Sequence, residues 1–286
     1  MENYCNNCGN FGHLYKDCRY PILSYGIILY NKEKTEREEI IYRIIMVERK
    51  DSLSYIEFLR GKYKTPLNYE YIQLLISRMT KEETKKLLSF DFDTLWEKLW
   101  IHTETINQRI KKEYQKSKII FNQLKGGIKK EDVEYSLETI IQKSSQNYSM
   151  NEWEIPKGRR KGVENNKKCA IREFEEETNV KEDQYQLVTN VIPLIEEYRG
   201  INNVRYKHVY YLGEIDQLVN VEVNMDNINQ YTEIKSIQWL TKEECFEKIR
   251  DYDVTKKEII DTIFNFLFKT SNELVIKKQS LNKKEL

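Results

Sequence analysis

The stretch from Trp153 to Val180, WEIPKGRRKGVENNKKCAIREFEEETNV, concentrates acidic side chains at spacings that suit metal and phosphate chemistry. Seven glutamates lie from Glu152 to Glu177, and four of them fall within residues 173–177. Like charges three or four residues apart on a helix repel each other by a few tenths of a kcal/mol per pair, so something must offset that cost. A hard divalent cation such as Mg²⁺ is the natural candidate, because it prefers oxygen ligands.

A helix over residues 164–180 would gather three of these carboxylates on one side. At 100° per residue, Ile171, Phe174 and Thr178 form the face that packs on a sheet. The opposite face carries Glu173, Glu176 and Glu177. We therefore expect these three carboxylates to converge on the outward rim of the helix.

This segment resembles the Nudix box, G-x5-E-x7-R-E-U-x-E-E-x-G-U, where U is a bulky apolar residue. The matching positions are Gly158, Glu164, Arg172, Glu173, Phe174, Glu176, Glu177 and Val180. The sequence departs from the pattern at Asn179, where the family has glycine. A left-handed residue ends the helix there, and asparagine adopts that conformation more readily than other non-glycine residues. The departure therefore casts little doubt on activity.

The resemblance implies an α/β/α sandwich and a set of catalytic roles. Glu173, Glu176 and Glu177 would hold Mg²⁺ or Mn²⁺ against a diphosphate, and Arg172 with Glu164 would orient the neighbouring carboxylates. Glu177 is our choice of general base for the attacking water. A further metal ligand often comes from a later loop in this family, and Glu233 is the best candidate. The weaker candidates are Glu196, Glu197 and Glu222.

The N-terminus contains a second potential metal site with softer ligands. Cys5, Cys8, His13 and Cys18 follow the pattern C-x2-C-x4-H-x4-C, and three thiolates with one imidazole can close a tetrahedron around zinc. Gly9 and Gly12 supply the backbone freedom that the tight turns need. The segment resembles the CCHC zinc knuckle, which implies binding of single-stranded nucleic acid, although Asn6 stands where that family often has an aromatic residue. A purely structural or protein-binding zinc site remains an alternative.

The distribution of apolar, β-branched and charged residues along the chain predicts a discontinuous arrangement of domains. We expect the zinc knuckle over residues 1–21, a Nudix domain over 22–50 and 149–270, a helical insertion over 51–148, and a lysine-rich, disordered tail over 271–286. β-Branched and aromatic runs at 24–30 and 40–50 predict a hairpin, and Thr80 with Glu83 forms a potential capping box at the start of a helix. A final helix is expected over 255–268.

A basic segment within the insertion indicates a possible track for RNA. Residues 106–130 contain eight lysines and arginines and a single acid, Glu113, whereas the whole chain has a net charge of only +1. The candidates for RNA binding are Arg109, Lys111, Lys112, Lys116 and Lys118. A solvated helix face is the alternative interpretation.

Two further features narrow the substrate that the resemblance implies. WEIPKGRRKG is similar to the entry to the box in mRNA-decapping and diphosphoinositol-phosphate Nudix enzymes, and Lys157 there could contact a substrate phosphate. A helical insertion between hairpin and box is similar to the layout of the decapping enzymes of poxviruses, African swine fever virus and giant amoebal viruses. That likeness spans roughly residues 22–268 and implies capped RNA as substrate, with 7-methyl-GDP and 5′-monophosphate RNA as products.

Two other functions stay open at this stage. One is hydrolysis of diphosphoinositol polyphosphates, and the other is RNA binding by a non-catalytic Nudix shell. If the substrate is a cap, its positively charged base should stack on aromatic rings, for which Tyr55, Phe58 and Tyr63 are candidates.

Composition limits where the protein acts. The sequence has no apolar run long enough for a membrane span, and residues 1–10 lack the apolar core of a signal peptide. We therefore expect a cytoplasmic protein, in the host cytoplasm if it is viral, with no membrane association. No obligate protein partner is indicated.

Overall fold

The computed structural model describes residues 3–63, 68–100, 108–130, 133–145 and 148–282, with the side chains of Arg109, Lys129, Lys130, Val133, Glu134 and residues 271–282 left outside the description. The strands are β1 (Ile22–Lys34), β2 (Ile40–Arg49), β3 (Ile128–Lys130), β4 (Val133–Tyr135), β5 (Trp153–Glu154), β6 (Lys157–Gly158), β7 (Gln186–Leu187), β8 (Leu194–Arg199), β9 (Arg205–Ile215) and β10 (Ile234–Leu240). The helices are α1 (Leu53–Leu59), α2 (Tyr69–Ser77), α3 (Lys81–Ser89), α4 (Phe92–Leu99), α5 (Gln108–Gly126), α6 (Leu137–Lys143), α7 (Asn166–Thr178), α8 (Ile228–Glu233), α9 (Lys242–Lys248) and α10 (Val254–Asn282).

The main sheet is built around β1. This strand pairs with β2 in an antiparallel hairpin, in which Tyr30 lies opposite Ile44, and with β9 in parallel from Ile22 to Asn31. The strand order is β10-β2-β1-β9-β7, with β5, β6 and β8 attached to β2, β1 and β9 respectively. The predicted hairpin is confirmed, and the parallel β1–β9 pair brings the hairpin into the same sheet as the strands that follow the acidic helix.

Alternation along β1 creates the two faces of the sheet, because successive side chains of a strand point to opposite sides. Ile28 belongs to a core cluster with Ile260 and Phe264 of α10. Ile27 and Leu29 point to the other side, where α7 packs over β1 through its buried Phe174. Helices therefore cover both faces, and the predicted α/β/α sandwich is confirmed.

The chain divides into two compact units. The first contains residues 1–47, 153–224 and 236–286, and the second contains residues 48–152 and 225–235. The second unit, which we call the helical unit, therefore includes α8 together with the helices between β2 and β5.

Local sequence explains how the helical unit is organised. Thr80 begins α3 with the predicted capping box, because its hydroxyl accepts from the Glu83 amide while the Glu83 carboxylate accepts from the Thr80 amide. The other oxygen of Glu83 accepts from the Ser52 amide at 2.7 Å, so one buried carboxylate caps two helices. Phe58 packs against Phe121 of α5 and contributes to the apolar core of this unit.

The last helix is longer than the sequence predicts. α10 begins at Val254 and continues to Asn282, whereas we expected a helix that ends near residue 268 and a disordered tail from residue 271. No helix among the described residues has the length and apolar character needed to cross a membrane.

Candidate functional site

Helix α7 carries the acidic residues, and both of its ends are fixed by asparagine. The Asn165 side chain accepts from the Lys168 amide at 2.9 Å and caps the first turn. Asn179 ends the helix with φ of 60°, and its amide donates to the Glu175 carbonyl. The left-handed conformation predicted at this position is confirmed, so asparagine performs here the role that glycine has in the Nudix pattern.

Arg172 lies at the centre of the acidic residues. Its Nη2 and Nε donate to Glu164 at 2.6 and 3.0 Å. Its Nη1 donates to Glu173 at 2.7 Å and to Glu176 at 3.1 Å. We call these four residues the open cluster, because each keeps 13–24% of its side chain exposed.

The environment shifts the pKa values of Glu173 and Glu164 in the open cluster in opposite directions. Burial raises the pKa of Glu173 above its ordinary value, although Arg172 opposes this effect. Burial also disfavours the Glu164 carboxylate, but hydrogen bonds from Arg172 and the Lys161 amide outweigh it and lower its pKa. Arg172 is partly buried too, and its ion pairs with Glu164 and Glu173 outweigh burial and raise its pKa. The protein therefore compensates the charge of Glu173 less well than that of Glu164.

Glu177 differs from the expectation that it shares an exposed rim with Glu173 and Glu176. It is only 6% exposed, and its Oε2 accepts from the Lys157 amide at 3.0 Å. Strand β6 lies over this side of the helix, which explains the burial. The Lys157 ammonium pairs with the buried Glu154 at 2.6 Å, so the charge expected to contact phosphate is already held by a carboxylate.

The donor set of the site fits a divalent cation. Arg172 contacts three carboxylates, those of Glu164, Glu173 and Glu176, and Glu177 follows Glu176 on the same helix, so the site offers a cation four side chains with oxygen ligands. Gly158 approaches Glu173 so closely that a Cβ there would lie 2.1 Å from the Glu173 Cδ. These carboxylates do not gather as tightly as the helical wheel suggests. Among the described residues, the one group of three or more acidic, cysteine or histidine ligand atoms within 4.8 Å of one another is the N-terminal one.

The later glutamates that the sequence suggests as further metal ligands occupy different settings. Glu233 ends α8 in the helical unit, where its carbonyl accepts from the Lys50 amide at 2.8 Å. Glu197 pairs with Lys207 at 3.5 Å, and Glu222 accepts from the Asn220 side chain at 3.4 Å.

Glu196 lies at the centre of a second cluster and is itself closed to solvent, at 2% exposed. Its Oε2 accepts from the Tyr210 hydroxyl at 2.8 Å and lies 3.0 Å from His208 Nδ1, while its Oε1 accepts from Thr255 at 3.1 Å. We call these four residues the closed cluster. Burial opposes the charge on Glu196, but His208 and the nearby ammonium of Lys256 outweigh it and lower its pKa to about 2. Glu196 is thus a carboxylate stabilised entirely by protein groups.

The N-terminal residues form a compact ligand cluster. The ligand atoms of Cys5, Cys8, His13 and Cys18 all lie within 4.8 Å of one another. Burial disfavours ionisation of Cys18, yet hydrogen bonds from Asn7 and His13 outweigh it and lower its pKa to about 6. This soft donor set fits zinc.

The knuckle also exposes aromatic rings. Phe11 is 58% exposed and Tyr15 is 42% exposed, so both offer faces on which a base could stack. Tyr4 lies edge-on to Phe11, with 5.2 Å between ring centroids.

Helix α5 of the helical unit divides the proposed RNA-binding residues into two kinds. Lys111, Lys112 and Lys116 are exposed. Lys118 instead forms an ion pair with Asp93 at 2.7 Å, so an acid of the same unit already balances its charge. The side chain of Arg109 lies outside the described part of the chain.

The prediction that three aromatic residues of the helical unit stack on a cap is wrong. Tyr55, Phe58 and Tyr63 are at most 4% exposed, and the rings of Phe58 and Tyr63 stack on each other within the helical unit. They are core residues, because the helices that carry them bury these positions.

Comparisons with known proteins identify the family. The NUDIX domain profile matches residues 137–263. An mRNA-decapping protein g5R of African swine fever virus is 30% identical over 227 residues, which cover 78% of this chain and 87% of the relative. The chain belongs to the Nudix family.

A second viral relative aligns over more of this chain, and a solved structure aligns at a much lower identity. A protein of Acanthamoeba polyphaga mimivirus, provisionally named as an mRNA-decapping protein, is 29% identical over 93% of this chain and 94% of its own length. Among solved structures, a C. elegans Ap4A hydrolase aligns over 86% of this chain and 98% of its own, with 12% identity and a TM-score of 0.42.

Sequence reasoning missed three residues around the Nudix box. Glu154 pairs with Lys157, Lys161 pairs with Glu176 at 2.9 Å, and Arg160 contacts the N-terminal knuckle. Glu154 and Lys157 are three residues apart, which is a detectable spacing. The Arg160 contact spans more than 150 positions and leaves no local signal.

Proposed function

We propose that this protein hydrolyses the 5′ cap of capped RNA and releases 7-methyl-GDP and a 5′-monophosphate RNA. The observation that carries the proposal is the extent of the likeness to relatives named for mRNA decapping. The alignment with the African swine fever virus protein spans 227 residues and is therefore longer than the matched Nudix segment, 137–263. The likeness includes residues outside the catalytic domain, where a decapping enzyme would contact its RNA.

In the proposed reaction, the residues of the open cluster and Glu177 prepare the site. Glu173, Glu176 and Glu177 would hold Mg²⁺ or Mn²⁺, which when bound supplies charge neutralisation at the diphosphate and polarises the attacking water. Arg172 orients Glu173 and Glu176, since its Nη1 donates to both. Glu177 accepts the proton of the attacking water, and the Lys157 amide fixes its carboxylate.

We further propose that RNA lies along α5 and that the zinc-loaded knuckle stacks on unpaired bases. The exposed Lys111, Lys112 and Lys116 would neutralise phosphates, and the exposed Phe11 would contact bases. Such an enzyme would act on cytoplasmic mRNA, in the host cytoplasm if the protein is viral.

The deciding experiment uses RNA with a labelled cap, incubated with the protein and Mg²⁺ or Mn²⁺, and identifies the products by chromatography. We expect labelled 7-methyl-GDP. A parallel incubation with a diphosphoinositol polyphosphate tests the second enzymatic function. Activity confined to the inositol compound, and unaffected by uncapped RNA, would overturn the decapping proposal. Binding of RNA that is equally tight without divalent ions, with no product from either substrate, would indicate a non-catalytic RNA-binding protein.

The RNA track is tested by reversing the charge of Lys111, Lys112 and Lys116 together. Because each phosphate contact contributes about −0.7 to the slope of log affinity against log salt for a single strand, we expect the slope to become less steep by about 2. The matched control reverses Lys81, Lys85 and Lys98, which are exposed on other helices of the same unit. An unchanged slope in the first variant would place the RNA elsewhere.

A further inference from the structure

The zinc knuckle lies against the loop that opens the Nudix box, and Arg160 makes the contact. Its Nη2 donates to the Asn7 carbonyl at 3.1 Å and to the Tyr25 hydroxyl at 2.8 Å. Its guanidinium lies 5.0 Å from the centre of the Tyr25 ring. Gly9 makes room for this arrangement, because a Cβ there would lie 1.9 Å from Arg160 Nη1. The guanidinium is therefore held between β1 and the turn that carries two of the zinc ligands.

Asn7 connects this contact to the zinc ligands. It lies between Cys5 and Cys8 and is only 5% exposed. Its Nδ2 donates to Cys18 Sγ at 3.2 Å and to the Pro21 carbonyl at 2.9 Å. Its Oδ1 accepts from the Leu23 amide at the start of β1. One buried side chain thus joins a proposed metal ligand to the central strand, while its backbone carbonyl receives Arg160.

The residues on either side of Arg160 all contact the catalytic carboxylates or their arginine. The Lys157 amide donates to Glu177, and the Lys161 amide donates to Glu164 at 2.6 Å. Gly158 packs against Glu173.

The carbonyl of Arg159 completes these contacts by accepting from Arg172 at 3.0 Å. Arg160 is the member of the 157–161 loop whose side chain is directed to the knuckle instead. The loop is consequently anchored to the active site through its backbone and the Lys161 ammonium, and to the knuckle through one guanidinium.

We propose that Arg160 is a positioning residue through which the zinc-loaded knuckle holds the 157–161 loop in its catalytic arrangement. This inference rests on the proposed Nudix hydrolysis. The physical reason is that a metal supplies much of the folding free energy of a small thiolate site, so the Cys5–Cys8 turn loses its support when zinc leaves. The Asn7 carbonyl then no longer fixes Arg160, and the backbone groups that orient Glu164, Glu173 and Glu177 gain freedom.

The consequence is opposite to what the sequence alone suggests. As a separate module, the knuckle would lose zinc in Cys8→Ser without any effect on cleavage of a short capped substrate. With Arg160 as the connection, both Cys8→Ser and Arg160→Gln should lower kcat by about 10- to 100-fold, the range expected for misplaced reacting groups, with a small change in KM. Arg160→Gln should retain its zinc. Arg37→Gln, the same substitution at an exposed residue of the β1–β2 turn, is the matched control and should leave kcat unchanged.

Amide hydrogen exchange gives a readout that is independent of turnover. In the zinc-loaded protein, the amides of Lys157 and Lys161 should be protected, because both donate to carboxylates. This protection should be lost in Arg160→Gln, in Cys8→Ser and in wild-type protein stripped of zinc, and it should return when zinc is added back to the wild type. Protection that survives zinc removal and Arg160→Gln would overturn the inference.

A double-mutant cycle tests whether Arg160 carries the connection. If zinc acts through Arg160, adding Cys8→Ser to Arg160→Gln should cause little further loss of kcat. Multiplicative losses would mean that the two residues act independently, and the inference would fail. Should wild-type protein release no 7-methyl-GDP while loop protection still depends on zinc and Arg160, the substrate assignment fails and the positioning role stands. Cleavage of capped RNA with zinc-independent loop protection would have the reverse meaning, since the substrate assignment would then stand and the positioning role would fail.

Discussion

The open cluster around Arg172 and the closed cluster around Glu196 both place carboxylates among hydrogen-bond donors but differ in how the negative charge is balanced. In the open cluster, three carboxylates share one guanidinium, and all remain partly exposed. In the closed cluster, the single carboxylate is that of Glu196, whose side chain is 1% exposed. It accepts hydrogen bonds from two hydroxyls and lies beside an imidazole.

This difference separates a ligand-binding site from a structural one. The open cluster gathers three carboxylates around the guanidinium of Arg172, and burial raises the pKa of Glu173, so a divalent ion would stabilise the ionised carboxylates. The closed cluster has its acceptors satisfied, and the pKa of Glu196 is lowered to about 2. We expect the open cluster to determine turnover and the closed cluster to determine stability.

The largest effect that separates the clusters is expected from Glu177→Gln beside the open cluster. Loss of a general base should reduce kcat on capped RNA by at least about 10²-fold, because the amide cannot accept the proton of the attacking water. RNA affinity should stay nearly the same. Single-turnover kinetics and filter binding measure the two quantities.

Glu175→Gln is the matched control for this prediction. Glu175 lies on the same helix but pairs with the exposed Lys181, away from the open cluster. Its substitution should leave turnover within about twofold, since an exposed ion pair contributes little. Equal losses in both variants would refute a specific role for Glu177.

The sequence predicted the fold and the identity of the open cluster better than its geometry. The Nudix spacing located Glu164, Arg172 and Glu173, and the left-handed Asn179 followed from helix-ending rules. A helical wheel could not predict the burial of Glu177, because that burial depends on β6, which precedes the helix and folds back over it.

Long-range contacts account for the remaining differences. His208 and Tyr210 reach Glu196 through the pairing of β8 with β9, and Thr255 reaches it from α10, so the sequence left Glu196 as a weak metal candidate. The aromatic residues proposed for cap stacking failed for a related reason, since a single sequence cannot distinguish a buried ring from an exposed one.

Glu196→Gln should affect stability rather than turnover. Loss of hydrogen bonds to a buried charge should lower the free energy of unfolding by about 2 kcal/mol at neutral pH. Because the folded-state pKa is about 2 and the ordinary value is 4.5, the ionised carboxylate stabilises the fold above about pH 4.5, and this stabilisation is lost as the pH falls towards 2. The difference between variant and wild type in urea unfolding should therefore shrink at about pH 3.5.

Turnover at a temperature where both proteins are folded completes this test. We expect Glu196→Gln to keep the wild-type kcat, because its carboxylate is held entirely by protein groups. A large loss of kcat with unchanged Mn²⁺ affinity would contradict the assignment of Glu196 to structure, and a loss of Mn²⁺ affinity would make it a metal ligand.

The smallest expected effect comes from Gly158→Ala, which perturbs the open cluster without removing any charge. The new Cβ would lie 2.1 Å from the Glu173 Cδ, so the carboxylate must move by about 1 Å or the loop must shift. Either movement should lower kcat by about tenfold while KM for RNA stays close to wild type. Gly126→Ala, where a Cβ meets nothing within 4 Å, is the matched control. If Gly158→Ala turns over normally while binding of Mn²⁺ is unchanged, the position of Glu173 is not critical, and the open cluster acts through its total charge alone.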